Sequence, residues 1–110
     1  MEEDLNIRDL REDSDHTYFV GVRVFELYIP GCQSLKEKRF AVKSIRERLR
    51  NKFNLSVAEI GWQNLHQRSA VAVTTVSGEK KIVMQVLDKA NELVEHETRI
   101  VVTDTFTEII

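Results

Sequence analysis

A chain of 110 residues, 42% hydrophobic and 31% charged, fits a single domain with a modest core. Its one cysteine, Cys32, excludes an internal disulfide and a cysteine-based zinc cluster, and no apolar run approaches the roughly 18 residues of a membrane span. The acidic start, MEEDLNIRD, is the opposite of a secretory leader, so the composition predicts a soluble, cytoplasmic protein.

The net charge of −2 hides an asymmetry. Residues 1–15 carry seven acids against two arginines, a net of −5, which leaves +3 for the remainder. Residues 1–16 show no hydrophobic period and read as an acidic mobile leader, with residues 17–110 as one domain. The leader is either a solubilising tail or a competitor that covers a basic surface until a stronger polyanion displaces it.

Residues 18–29, YFVGVRVFELYI, are rich in β-branched and aromatic side chains and predict a strand. Phe25, Leu27 and Ile29 form one face; Val24, Glu26 and Tyr28 form the other. Pro30-Gly31 breaks it. Residues 34–53 then read as a long amphipathic helix, with Leu35, Val42, Ile45, Leu49 and Phe53 at helical spacing. Ser34 and Glu37 make a capping box at its start. Between positions 36 and 52 stand eight bases against two acids, a net of +6.

Residues 55–62 predict a second strand and 69–76 a third, joined as a hairpin by the polar residues 63–67. Ser77-Gly78 leads into a second helix over 79–96, with Val83, Val86, Leu87, Ala90, Leu93 and Val94 as its buried stripe. A last strand follows over 99–106. This order predicts an α+β, ferredoxin-like β-α-β-β-α-β sandwich: a four-stranded antiparallel sheet with two helices on one face. The open face, read as carrying Val24, Tyr28, Val71 and Val73, predicts a homodimer or other homo-oligomer.

Pro30-Gly31, SLKEKR at 34–39, KFNLSVAEIG at 52–61 and QNLHQR at 63–68 together resemble the YlxP-like bacterial family, a domain of unknown function. The resemblance covers residues 18–107 and implies a ferredoxin-like fold and a cytoplasmic location. Members of that family are often encoded beside translation initiation and ribosome-maturation genes, which implies a ribosomal RNA or ribosome partner. No catalytic residues come with it. The acidic leader departs from the family pattern, as does Arg23, where an apolar residue is expected.

The first candidate site is the basic helix. At 100° per residue, Lys36, Arg39, Lys43, Arg46 and Arg50 share an arc of about 80° beside the apolar stripe. Such a row can follow a phosphate backbone; the bland alternative is a solvated helix face. The helix start, with Ser34, Lys36, Lys38 and Arg39, is a second anion-site candidate, weakened because the capping box uses its free donors. In the hairpin, Trp62, Gln63, Asn64, His66 and Arg68 offer the aromatic, amide and guanidinium groups that single-stranded RNA recognition uses. Trp62 equally suits a core or dimer anchor, and the amides suit turn caps.

Other functions find little support. Strand three, SAVAVTTV, lacks the aromatics of an RNA-recognition motif. VGVR at 20–23 only faintly echoes an acylphosphatase loop. His16, His66 and His96 are scattered without metal-ligand spacing, and Cys32 has no histidine nearby in sequence. The sequence therefore predicts a binding protein without enzymatic activity, metal or cofactor. Its rival is a protein-interaction or small-ligand regulatory module of the same fold, with no nucleic-acid role.

Overall fold

The computed structural model describes residues 16–110; of the predicted leader over 1–16, residues 1–15 lie outside the described residues. Six elements follow the predicted order: β1 (Phe19–Tyr28), α1 (Leu35–Lys52), β2 (Ser56–Gly61), β3 (Arg68–Ser77), α2 (Lys80–Glu95) and β4 (Val101–Ile109). The strands form one antiparallel sheet in the order β2-β3-β1-β4. α1 lies against β2, and α2 lies against β3 and β1 on the same face. This is the ferredoxin-like sandwich.

Alternation along the strands decides what the helices cover. In β1, Gly21, Arg23, Phe25 and Leu27 point to the helices, and Phe25 pairs in register with Val71. Val57, Val71 and Val73 complete the sheet side of the core, against Val42, Ile45 and Leu49 from α1 and Val83, Leu87, Ala90 and Val94 from α2. Each such valine, leucine or isoleucine side chain contributes about 1.5–3 kcal/mol of burial. Gly21 lets α2 approach: a Cβ there would stand 2.3 Å from Val83 Cγ1 and 2.9 Å from Leu87 Cδ1.

One expectation about faces changes, and the direction of Arg23, which the sequence left open, is settled. Val71 and Val73 are buried beneath the helices; the open face of β3 is instead Ala70, Ala72, Thr74 and Val76. Arg23 points inward, because it keeps the parity of Phe25. Its guanidinium reaches the core's rim, donating to Leu87 O and Asp88 Oδ1 at 3.1 Å and to Thr107 Oγ1 at 2.8 Å.

The last strand begins at Val101, two residues later than expected, because a turn claims the start of that segment. The Ile100 N–H donates to Glu97 O, and the Glu97 N–H donates to Val94 O. Glu97 is itself buried. Its carboxylate accepts from Arg48 Nη1 at 2.8 Å, Arg99 Nε at 3.0 Å and the Arg99 backbone N–H at 3.2 Å. These donors, the Arg99 side chain foremost, hold the Glu97 carboxyl below its ordinary value of 4.5.

A folded-state pKa below the unfolded one adds stability that is complete above the unfolded value and lost as pH falls through the lowered one. Glu97→Gln is therefore expected to flatten the acid limb. Urea denaturation from about pH 6 to about pH 3 should show a shallower decline below about pH 4.5 than the parent chain shows. An unchanged slope would remove this carboxylate from the acid response.

Candidate functional site

The basic helix starts from a well-made cap. Ser34 Oγ accepts from the Glu37 N–H at 3.1 Å, and Glu37 Oε2 accepts from the Gln33 N–H at 3.1 Å and the Ser34 hydroxyl at 3.2 Å. A carboxylate already sits at this positive helix end, so the helix start is a poor place for a second anion. Lys38 is also absent from that surface, for it turns inward.

From this cap α1 carries two unlike flanks. One meets the α2 side: Arg48 pairs with Glu97, and the Arg99 guanidinium lies 6.0 Å from the centre of the Phe40 ring. The other flank, about 160° around the helix from Arg48, holds the predicted basic row and overlooks the edge strand β2. Lys36, Arg39, Lys43 and Arg50 are exposed; Arg46 is half-buried, and its Nε has no hydrogen-bond partner among the described residues. Lys43 makes an exposed, loose pair with Glu47 at 4.0 Å, worth about 0.3–0.5 kcal/mol. Among the described residues, no carboxylate pairs with Lys36, Arg39, Arg46 or Arg50. At 1.5 Å per residue the row runs about 21 Å from Lys36 to Arg50.

The hairpin sits at the same end of the molecule as the start of this row, since β2 runs antiparallel to α1. Trp62 is half-buried with a φ of 53°, the left-handed region that a bulky residue seldom adopts. The cause is visible. The wholly buried Lys38 donates from Nζ to Trp62 O at 2.6 Å and pairs with Glu59 Oε2 at 2.9 Å, while the Ser69 hydroxyl donates to the same carboxylate at 2.6 Å. The buried ammonium thus pins the strained carbonyl.

Arg68 stacks its guanidinium 3.9 Å from the Trp62 ring centre, leaving that face of the indole covered. Gln63 Nε2 caps the turn by donating to Glu59 O at 3.2 Å. Asn64 and His66 are exposed. The hairpin therefore leaves Asn64, His66 and the outer edge of Arg68 exposed, tied to the first turns of α1 through the Lys38 contact, while Trp62 and Gln63 are engaged with their own chain.

The cysteine and the histidines do not converge with these groups. Cys32 is buried, its thiol donating to Ser34 O at 3.4 Å, and His96 at the end of α2 contacts Glu92 O through Nδ1 at 2.7 Å. Among the described residues no three His, Cys, Asp or Glu side chains gather as a metal site, and no helix is long and apolar enough to cross a membrane.

Sheet, helices and cationic flank together define a small α+β protein of ferredoxin-like topology with one basic edge. The chain belongs to the family described as Protein of unknown function (DUF503), whose pattern matches residues 20–107. It is similar to Uncharacterized protein YlxP of Bacillus subtilis (strain 168), 41% identical over 61 residues that cover 56% of this chain and 66% of that protein. The match thus spans just under two thirds of that relative's length. A solved C-terminal segment of the alpha subunit of aIF2 from Pyrococcus abyssi aligns with 94% of this chain and 55% of that one, at 10% identity and a TM-score of 0.44.

Proposed function

We propose that this chain is a cytoplasmic RNA-binding protein, a binder and not a catalyst, that grips backbone phosphates along the outer flank of α1. The observation that carries this reading is the lack of carboxylate partners for Lys36, Arg39, Arg46 and Arg50 among the described residues. Four like charges held along about 21 Å of one rigid helix repel each other, and a polyanion relieves that repulsion. Asn64, His66 and Arg68 of the hairpin extend the surface with groups that reach base edges or phosphates. The genomic setting of the YlxP-like family favours ribosomal RNA or the ribosome as the partner.

A filter-binding titration over salt concentration tests the reading. Three or four phosphate contacts give a slope of about −2 to −4 in log affinity against log salt. A slope near zero would leave a protein-interaction or small-ligand module with a merely solvated helix face.

A second reading concerns assembly, and the open sheet face favours it. Val24 and Phe106 sit opposite each other there, with Val76 and Ile60 on the neighbouring strands, and Phe106 is 61% exposed. This apolar patch, flanked on the same face by Glu26, Asp104 and Glu108, is unfavourable in water, so we propose that two copies cover it as a homodimer. Light scattering at micromolar concentration is expected to give twice the 12.8 kDa chain mass. A monomer mass would refute the dimer.

A further inference from the structure

We infer that the groove beside Phe40 receives a single unpaired nucleobase from an RNA strand whose phosphates follow the row on α1. This rests on the phosphate reading above and names the part of the nucleic acid that the phosphate row cannot read. Phe40 stands apart on its helix: it is 68% exposed, yet large and aromatic, on the face turned away from the buried stripe of Ala41, Val42 and Ile45. On the helix circumference it lies about 40° from Lys36 and about 60° from Lys43, against about 80–120° from Arg50, Arg39 and Arg46, so a strand on the row reaches it at the Lys36 end.

The ring borders a groove of about 560 Å³ between the loop after β1, the start of α1 and the turn before β4. That size falls within the usual range for small-molecule sites. Pro30 and Cys32 line it with Phe40, and Lys36 and Arg99 stand at its margin. Glu37 also lines it, but its Oε2 is taken by the Gln33 N–H and the Ser34 hydroxyl. The groove is thus apolar in its walls, cationic at its margin and continuous with the phosphate row.

A nucleobase meets each of these demands. Its face stacks on an aromatic ring regardless of sequence, and a guanidinium plane stacks or donates to it from the other side. Arg99 is oriented for this by two side-chain bonds to Glu97, from Nε at 3.0 Å and from Nη2 at 3.3 Å. The 6.0 Å between its guanidinium carbon and the Phe40 ring centre is about 1 Å less than two stacked van der Waals contacts need. Rotation of the exposed ring supplies that difference. The partner is single-stranded, since a base within a duplex cannot leave its stack without cost.

The test compares two chains of equal length: oligoadenylate RNA and an abasic ribose-phosphate strand. The intact protein is titrated against each, alongside Phe40→Ala and Phe40→Trp. The intact protein is expected to prefer oligoadenylate by about 5- to 150-fold, the range for one stacked base. Phe40→Ala should lose this preference while holding the abasic strand as before, and Phe40→Trp should restore it. Equal affinity of the intact protein for both strands overturns the base site and leaves the phosphate reading in place. Binding of neither strand overturns both readings. A Phe40→Ala loss of equal size on both strands also overturns the base site, because a packing role would act that way.

Discussion

Lys38→Ala is expected to destabilise the fold by about 3–5 kcal/mol, measured by urea denaturation with Trp62 fluorescence as the probe. The ammonium is wholly buried, with Glu59 Oε2 at 2.9 Å and Trp62 O at 2.6 Å. Removing it strands a carboxylate whose side chain is only 16% exposed and deprives a strained carbonyl of its donor. Exposed lysines such as Lys36 lack this leverage. The double variant Lys38→Met/Glu59→Leu should recover part of the loss, since apolar groups tolerate burial where an unpaired charge does not. It should not recover all of it, because Trp62 O and the Ser69 hydroxyl each lose a partner, at about 1–3 kcal/mol apiece. A single-variant loss below about 1 kcal/mol would mean that water reaches this ion pair.

That pair also explains why the SLKEKR and SVAEIG stretches occur together. Their residues Lys38 and Glu59 meet in the interior, so one motif is partly the other's counter-ion. Both positions were readable. Lys38 lies four residues before Val42 and seven before Ile45, squarely on the buried stripe, and Glu59 shares its strand face with Val57. Opposite charges on two inward faces call for each other, but only the sheet order brings them together, and no local pattern encodes it.

β3 shows the opposite difficulty. SAVAVTTV is apolar at both parities, so alternation cannot choose a face. Volume chooses instead: Val71 and Val73 fill the space under the helices, and Ala70 and Ala72 take the open side. The helix boundaries and the basic row were legible because a cap and a 3.6-residue period are local properties. The Phe40 groove was not, since it is assembled from the loop after β1, the start of α1 and the turn before β4.

The double reversal Arg39→Glu/Arg46→Glu is expected to weaken RNA binding by about 25- to 60-fold near 0.1 M salt. Each phosphate contact adds about 0.7–0.9 to the salt slope, which at that concentration is about 5- to 8-fold per contact. Two lost contacts multiply, and the new carboxylates add repulsion. The slope itself should become shallower by about 1.4 to 1.8. Stability should change little, because Arg39 is exposed and the Arg46 guanidinium has no carboxylate to lose among the described residues. Lys80→Glu/Lys81→Glu provides the comparison: it changes net charge by the same amount at two exposed positions on α2. If binding depends on the α1 flank, that variant should lose far less affinity, and only the α1 variant should leave the ribosomal fractions in sedimentation. Equal losses from both pairs would instead mean attraction to overall charge, with the row along β2 having no role as a docking site.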